Sequence, residues 1–500
     1  MDISREIEVR KVWMRALHIY LGLFLLGYTI AVFNTCALNI SWTLDWGSNE
    51  LAYFNLFSTI IPAGISIGCL ITGPSISRFG RRKTYIAAGW LYILGTAILL
   101  CPFTVMFGIG RMLTGISSGI YGVLPPIYAN EITPEAIIGK VGAYIAIMSS
   151  SGVIFAYVFG LPLPVSSGSD FNYWWMFMFI FPAAIAGYML ASTIWLVRYD
   201  SPQYYMEKGM IDMAERALRE SYTEEGMESG RIRIKADQAN ATSGEKKANV
   251  INIFCDRKFA KMIRIGFIRV FFFQFSGIFT MLFYSTSVFS KLGGGIFISR
   301  VLTVVVGLIL LIANFLFIPV AKYFGRKTIF VGGDLLMSAL MVGAGVTSSH
   351  NVGVIWPVIL ILLFVLVFGS TANSVTWMYL AEILNPQILV VVSMYSWILT
   401  IVITLLFPIL VEIWDISVLL YIFAVINALG ALYSVFDMVE TKGKLKADVL
   451  KSLNVGKDIG NYKNDESPTD RQMLENENNE KPDEYIEENP ESNSIDENQS

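Results

Sequence analysis

The sequence is poor in charge, since only 15% of its 500 residues are Asp, Glu, Lys or Arg, whereas 54% are hydrophobic. Soluble domains carry about 25% charged residues, so a soluble protein is excluded. Cysteine is also scarce, and the four residues at 36, 69, 101 and 255 show neither paired nor metal-ligand spacing. We therefore expect no redox chemistry, no metal and no cofactor. The sequence shows no nucleophile with a base and no phosphate-binding loop, which argues against an enzyme, and we expect no nucleic-acid partner.

A cleavable signal peptide is not expected either. The first apolar run, Ala16 to Leu38, is too long for the apolar core of a signal peptide. It is followed by no small-residue cleavage site. This run is therefore predicted to be a membrane span.

The formal charge of −3 is divided unevenly along the chain. Residues 457–500 contain 14 acidic and 4 basic residues, which gives −10 there and +7 for the remainder. This segment is rich in Asn, Glu, Asp, Ser and Pro and has little to bury, so it is expected to be disordered. We predict a largely disordered acidic tail over residues 441–500.

Long apolar runs fill most of the chain. A spanning helix needs about 20 apolar residues. Twelve runs are predicted to span, at 16–38, 54–76, 84–102, 104–127, 140–161, 173–196, 262–290, 297–320, 328–348, 354–380, 389–411 and 416–437. They predict an all-α membrane protein with two six-helix bundles, residues 16–197 and 262–440, joined by a polar linker at 198–261 that contains short helices.

Basic residues indicate which loops are cytoplasmic. They cluster in the N-terminal segment 1–15 and in the loops after the second and eighth spans. We therefore predict that both termini, the linker and the tail are cytoplasmic, and that the membrane is the plasma membrane. Asn39 then falls outside the cell in the sequence Asn39-Ile40-Ser41 and is a predicted glycan acceptor.

Two stretches of the sequence recur at similar offsets. FGRRKTYIAAGW, from Phe79, returns as FGRKTIFVGGDL from Phe324, an offset of 245 residues. YANEITPE, from Tyr128, returns loosely as YLAEILNP from Tyr379, an offset of 251 residues. Both pairs occupy equivalent places in the two halves, which indicates a duplicated six-helix unit. Such repeats are typical of transporters whose halves move around a site near the bilayer midplane.

These motifs carry a resemblance to a known family. GPSISRFGRR (Gly73–Arg82) resembles the cytoplasmic signature of the major facilitator superfamily. Further stretches resemble its sugar porter branch, in that family's order: GRMLTG, YANEITPEAIIG, DSPQYYMEKG, QFSGIFTMLFYST and VETKGK. The resemblance covers about residues 16–445. It implies the major facilitator fold and transport of a sugar, in particular a monosaccharide such as a hexose.

Opposite charges at the cytoplasmic helix ends predict a latch that holds the two halves together on that side. By resemblance, the latch residues are Arg81, Arg82, Arg111, Glu131, Asp200, Arg326, Lys327, Glu382 and Glu440. The chain departs from the family at Ile138 and Leu389, where the family has arginine. We therefore predict that the latch is weaker here.

The apolar stretch FFFQFSGIFTMLFYSTSVF contains a single amide, Gln274. An unpaired amide in lipid is costly, so Gln274 is expected to face a partner, a cavity or a ligand. The resemblance implies substrate contacts at Gln274, Phe279, Phe368, Trp377, Trp397 and Thr400, and an outer gate at Tyr284. Gly277 is expected to break this helix, because glycine tolerates unusual backbone angles.

Several polar residues of the family's substrate site are replaced. The positions are Ala146, Phe273, Phe279 and Leu310, and the tenth-helix stretch GSTANSVTW lacks proline. Each lost amide removes hydrogen bonds that contribute about 0.5–1.5 kcal/mol. The site is therefore expected to hold hexose weakly or to accept a smaller or less polar solute.

The sequence does not decide whether transport is passive or coupled to protons. Proton-coupled sugar porters have an aspartate in a GYD context on the first span, and here that position is Thr29. The simplest hypothesis is therefore passive, facilitated diffusion. A proton-coupled symporter or a transporter of another solute, using Asp334, stays open, as does a non-transporting sensor that signals through its tail. The sequence leaves the oligomeric state open.

Overall fold

The structure is a computed structural model that describes residues 7–166, 173–243, 259–293, 295–350, 352–384, 386–444, 449 and 452–453. The described residues up to Lys442 form one compact unit, and those from Gly443 onward belong to a second unit. The predicted disorder of the tail beyond residue 453 lies outside the described residues.

The described part of the N-terminal half forms seven α-helices. They are α1 (Val9–Thr43), α2 (Glu50–Phe79), α3 (Arg81–Leu99), α4 (Thr104–Ile132), α5 (Glu135–Gly142), α6 (Tyr144–Phe159) and α7 (Trp174–Leu196). In the described part of the predicted linker lie two short helices, α8 (Pro202–Glu207) and α9 (Ile211–Leu218), and a 17-residue helix, α10 (Met227–Ser243).

Eight further α-helices lie in the part of the C-terminal half that the structure describes. They are α11 (Ala260–Gln274), α12 (Ile278–Lys291), α13 (Ile296–Tyr323), α14 (Arg326–Ser349), α15 (Ile355–Phe368), α16 (Ser374–Ile383), α17 (Pro386–Ile413) and α18 (Ile416–Asp437). A π-helical segment, Gly369–Asn373, joins α15 to α16.

Ten helical segments in the described part of the chain are long and apolar enough to cross a membrane. They include the continuous stretches Ala260–Lys291 and Ile355–Ile383. The predicted spans 84–102 and 104–127 coincide with the less apolar helices α3 and α4. The prediction of an all-α membrane protein is thus confirmed, with ten of the twelve predicted spans meeting this criterion.

Small residues bring the helices of the N-terminal half close together. A Cβ atom on Gly68 of α2 would lie 2.1 Å from the carbonyl oxygen of Ile116 in α4. A Cβ atom on Gly119 of α4 would lie 2.3 Å from the carbonyl oxygen of Ile65. Glycine at both positions lets the backbones pack directly, as in many membrane helix pairs.

The helix that carries Gln274 is interrupted at the predicted place. α11 ends at Gln274, and Gly277 adopts a φ of 105° before α12 begins. This left-handed conformation is costly for residues with a Cβ atom, so glycine permits the break. The break divides the span into two segments, α11 and α12. Both bond to α17, and α12 also bonds to the N-terminal half.

The two ends of the bundle differ in charge. We call the face that carries Arg81 and Arg326, at the starts of α3 and α14, the basic face, and the opposite one the outer face. The two halves meet mainly through α12 on α1, α13 on α6, and α17 on α2. The candidate site lies along this contact.

Candidate functional site

Gln274 is buried, with 1% of its surface exposed, at the end of α11. Its Nε2 atom lies 2.6 Å from Ser396 Oγ and 2.8 Å from Thr400 Oγ1, both on α17. Its Oε1 atom is buried and accepts no hydrogen bond from the described residues. The partner that was expected for Gln274 is therefore helix α17. The Oε1 atom of Gln274 remains as an acceptor that no described residue uses.

Aromatic side chains from three spans form a cluster around Phe273. The ring centroid of Phe273 lies 5.5 Å from that of Phe368, 6.0 Å from that of Phe279 and 6.1 Å from that of Trp377. Phe279 in turn lies 6.5 Å from Trp397. We call these five residues the aromatic cluster. The structure thus brings the four aromatic residues predicted for the substrate site together.

Phe273, the residue at the centre of this cluster, was not predicted to be part of it. The family resemblance indicated only that Phe273 replaces an amide residue of the family. Both tryptophans are partly exposed, whereas the three phenylalanines are buried. The tryptophan rings therefore form the accessible part of the cluster.

A chain of polar side chains crosses between the halves near the middle of the spans. Asn373 Nδ2 donates to Asn314 Oδ1 at 3.0 Å, and Asn314 Nδ2 donates to Ser150 Oγ at 2.6 Å. Asn373 belongs to the π-helical segment, and such segments often occur at functional sites. Sequence reasoning missed Ser150 and Asn373. An amide within an apolar span, the signal used for Gln274, also marks Asn373.

Tyr284 lies on the outer side of the cluster, where it was predicted to form a gate. Its hydroxyl donates to the carbonyl oxygen of Thr404 at 2.7 Å. Its ring lies 5.3 Å from that of Phe407 and 5.5 Å from that of Phe54. Phe54 belongs to the N-terminal half, so this aromatic contact joins the two halves.

Hydrogen bonds also join the halves next to Tyr284. Asn34 Nδ2 donates to Ser285 Oγ at 2.7 Å, and the backbone N–H of Thr286 donates to Asn34 Oδ1 at 3.2 Å. The hydroxyl of Tyr157 donates to the carbonyl oxygen of Leu282 at 2.8 Å. The outer segment α12 is therefore bonded to the N-terminal half.

Asn39, the predicted glycan acceptor, is completely buried, with 0% of its surface exposed. Its Nδ2 donates to the carbonyl oxygen of Pro164 at 3.0 Å, and its Oδ1 accepts from Arg300 Nη2 at 2.7 Å. A glycan requires an exposed amide with a free nitrogen. The glycan assignment is therefore wrong, because this side chain is used inside the protein.

The basic face carries a charged cluster in the N-terminal half. Arg81 Nη2 lies 2.7 Å from Glu131 Oε1. The two carboxylate oxygens of Asp200 accept from the backbone N–H groups of Arg81 and Arg82 at 3.0 and 3.1 Å. Asp200 therefore caps the start of α3, where an anion is stabilised by the free N–H groups. Arg82 Nε donates to the carbonyl oxygen of Val197 at 2.6 Å.

The C-terminal half repeats this arrangement. Arg326 Nη2 lies 3.1 Å from Glu382 Oε1. The carboxylate of Glu440 accepts from the backbone N–H groups of Arg326 and Lys327 at 2.7 and 3.0 Å. Glu440 therefore caps α14 as Asp200 caps α3. Arg81 also pairs with Glu207 of the linker helix α8 at 3.6 Å. Among the described residues, neither Arg81 nor Arg326 pairs with a carboxylate of the opposite half.

The two capping carboxylates differ in their pKa. Burial raises the pKa of Asp200 above its usual value, against the opposing effect of backbone N–H groups. Burial also raises the pKa of Glu440, but the N–H groups of Lys442, Arg326, Lys327 and Thr441 outweigh it, so that pKa is lowered. The Glu440 carboxylate is thus held in its charged form.

Arg111 does not belong to the charged cluster of the basic face. It lies 20 residues before Glu131 on α4, which corresponds to about 30 Å along a helix. Its Nε and Nη2 atoms donate to the carbonyl oxygen of Phe57 at 3.2 and 3.1 Å, and the ring centroid of Phe33 lies 4.5 Å from its Cζ. Its assignment to the latch is therefore wrong, because the sequence motif does not reveal at which end of the helix the side chain acts.

Asp334, the acidic residue considered for coupling, is paired. Its Oδ2 lies 2.5 Å from Arg269 Nη1, and its Oδ1 lies 3.3 Å from Arg269 Nη2. The guanidinium Cζ lies 3.9 Å from the ring centroid of Phe330. Both charged side chains are buried, so the pair fixes α11 to α14.

Comparisons with known proteins agree with this geometry. A family model described as "Sugar (and other) transporter" matches residues 16–448. The plastidic glucose transporter 4 of Arabidopsis thaliana is 27% identical, over 87% of this chain and 79% of that protein. A facilitated trehalose transporter (Tret1-2 homolog) of Drosophila simulans is 25% identical, over 79% of this chain and 80% of that protein. An inward-open structure of the xylose transporter XylE from E. coli superposes with a TM-score of 0.73 at 22% identity, covering 88% of this chain and 99% of that one.

Proposed function

The chain belongs to the sugar (and other) transporter family and has the major facilitator fold, and from this premise we propose that it moves a sugar, in particular a hexose, by facilitated diffusion. It is a multi-pass membrane protein and a transporter rather than an enzyme. The proposal places it in the plasma membrane with the basic face in the cytosol, since basic loops favour that side.

The aromatic cluster beside Gln274 is the observation that carries this proposal. Sugar rings present apolar C–H faces that stack on aromatic side chains, and hydroxyl groups that require acceptors and donors. The tryptophans of the cluster supply accessible flat surfaces, and Gln274 Oε1 supplies an acceptor without a protein partner among the described residues. A solute hydroxyl that donates to this oxygen would complete the hydrogen bonding of the amide.

The contacts between the halves support alternating access. On the outer side, Asn34 and Tyr157 bond across the halves to α12. On the basic face, the described ion pairs of Arg81 and Arg326 reach carboxylates of their own half or of the linker, and none of them crosses to the opposite half. This pattern corresponds to a state closed on the outer side, and we propose that the latch charges meet across the halves when the outer side opens.

Two observations favour passive transport over proton coupling. Thr29 is a hydroxyl residue that donates to the carbonyl oxygen of Leu25 at 2.8 Å. A hydroxyl does not exchange a proton near neutral pH. Asp334 is already paired with Arg269 in the interior, which opposes a cycle of protonation at that carboxylate.

Counterflow in liposomes tests the proposal. The purified protein is reconstituted and loaded with an unlabelled solute, and the entry of labelled sugars, polyols and other small solutes is measured. We expect exchange of at least one hexose. Trp377→Ala is expected to reduce that exchange, whereas Trp90→Ala, at a residue with 62% of its surface exposed away from the site, is not.

The results separate the alternatives. Uptake that a protonophore abolishes would establish a symporter instead of a facilitator. Exchange of another solute without any hexose would overturn the proposed substrate. A protein that exchanges no solute, together with signalling in cells that depends on the tail, would establish a sensor.

A further inference from the structure

Arg300 is a buried cation at the outer end of the contact between the two halves. It lies near the start of α13, and 1% of its surface is exposed. The basic face lies at the other end of this helix. Arg326, which begins the next helix there, is 26 residues after Arg300, a helical rise of about 40 Å. Arg300 is therefore remote from the charges that the family resemblance assigns to a latch.

Within the described part of the chain, Arg300 donates only to acceptors of the N-terminal half. Nη2 donates to Asn39 Oδ1 at 2.7 Å and to the carbonyl oxygen of Pro164 at 3.3 Å. Nη1 donates to the carbonyl oxygen of Leu163. We call Asn39, Leu163, Pro164 and Arg300 the outer clasp.

The acceptors in the outer clasp are neutral. A buried charge is costly unless hydrogen bonds replace the lost water, so Arg300 depends on each of these acceptors when the outer side is closed. Opening of that side would separate Arg300 from Asn39 and the two carbonyl groups and would return the guanidinium to water. The clasp is therefore a contact whose energy differs between the closed and the open state.

We propose that the outer clasp sets the balance between the outward-closed and outward-open states, with Asn39 as the residue that makes burial of Arg300 tolerable. This inference rests on the proposed alternating access. It gives Arg300 and Asn39 a positioning role in the transport cycle rather than a role in binding the solute. Removal of Asn39 alone leaves the buried Arg300 with one acceptor fewer. This change is therefore expected to destabilise the closed state more than removal of Asn39 and Arg300 together.

The experiment measures how fast a membrane-impermeant thiol reagent labels single cysteines. The four native cysteines are first replaced in the full-length chain. Thr404→Cys, beside Tyr284, reports opening of the outer side, and Ala146→Cys, in α6 toward the basic face, reports opening of the opposite side. Labelling is measured without solute, from each side in turn in oriented vesicles.

We expect Asn39→Ala to raise outer labelling about tenfold and to lower labelling at position 146, because loss of an acceptor by a buried charge costs more than loss of a neutral bond. In an Arg300→Met background, Asn39→Ala is expected to change outer labelling by less than about twofold, since the two residues act through one contact. Lys291→Ala is the matched control. That outer cation bonds to the carbonyl oxygen of Val411 within its own half and should change neither rate.

Equal effects of Asn39→Ala with and without Arg300 would overturn the proposal. A rise in labelling at both reporters would also overturn the proposal. A loosened fold exposes both sides, whereas a shift between the two states exposes one side and closes the other. Labelling requires no solute, so its failure is distinct from failure of the proposed transport. If the protein exchanges a hexose but Asn39→Ala has the same effect with and without Arg300, this inference is wrong and the proposed function is unaffected.

Discussion

Asp334 and Arg269 form an ion pair in the interior of the C-terminal half, with Asp334 Oδ2 2.5 Å from Arg269 Nη1. The pair joins α11, which ends at Gln274, to α14, which begins at Arg326. It therefore links the segment that carries the site amide to a helix that starts at the basic face.

Removal of one partner of the pair is expected to destabilise the protein strongly. Asp334→Asn leaves the Arg269 charge buried without its counter-ion, which typically costs about 3–5 kcal/mol. Replacement of both, as Arg269→Met with Asp334→Leu, removes the uncompensated charge and should recover most of the loss. Thermal unfolding in detergent measures both effects. A single variant as stable as the wild type would show that the pair does not hold α11 in place.

Transport is expected to be independent of a proton gradient. Asp334 forms an ion pair with Arg269, and Thr29 contacts the hydroxyl of Tyr92 at 2.8 Å, so the proposed facilitator uses neither residue to carry a proton. Net uptake in liposomes should stop when internal and external solute concentrations are equal, with or without an imposed pH difference. Accumulation above equilibrium that follows the pH difference would contradict this prediction.

Phe273→Gln is expected to tighten hexose binding. This change restores an amide at the centre of the aromatic cluster, next to the free acceptor of Gln274. One added hydrogen bond contributes about 0.5–1.5 kcal/mol, which corresponds to roughly a twofold to tenfold lower KM. The control Phe273→Leu removes the ring without adding an amide and should raise KM. An unchanged or higher KM for Phe273→Gln would mean that position 273 does not face the solute.

The basic face is expected to close more firmly when arginine is introduced at two symmetric positions. Ile138 and Leu389 occupy equivalent places after Glu131 and Glu382, and both are partly exposed. Arginine at both positions would add cations near these carboxylates, so crosslinking across the basic face should increase and the outward-open fraction should rise. The single variants serve as controls with smaller effects. No change in the crosslinked fraction would show that these carboxylates do not act between the halves.

The internal duplication made the equivalent helix starts of the two halves predictable from the sequence. The repeats at Phe79 and Phe324 correctly placed Arg81 and Arg326 at equivalent helix starts, because a basic turn between apolar runs is a local pattern. The break at Gly277 was predictable for the same reason, since it depends on one residue's backbone freedom.

The site was predictable where a residue type stands out within a span, and not where depth and pairing decide its role. Gln274 stands out as a single amide in an apolar run, whereas the tryptophans were assigned by the family resemblance. Arg111 and Asn39 were misassigned because a motif gives a residue's place in the chain and not its neighbours. Asn39 bonds to Arg300, 261 residues away, and only the meeting of the two halves brings these side chains together.

A reversible crosslink on the outer side tests the central claim, that the two halves move around the site, most directly. Asn34→Cys and Ser285→Cys replace side chains that lie 2.7 Å apart across the halves, in a chain without its native cysteines. Oxidation to a disulfide should stop hexose counterflow, and reduction should restore it, because the outer side must open in every cycle. Counterflow that continues at an undiminished rate with the disulfide fully formed would contradict the account.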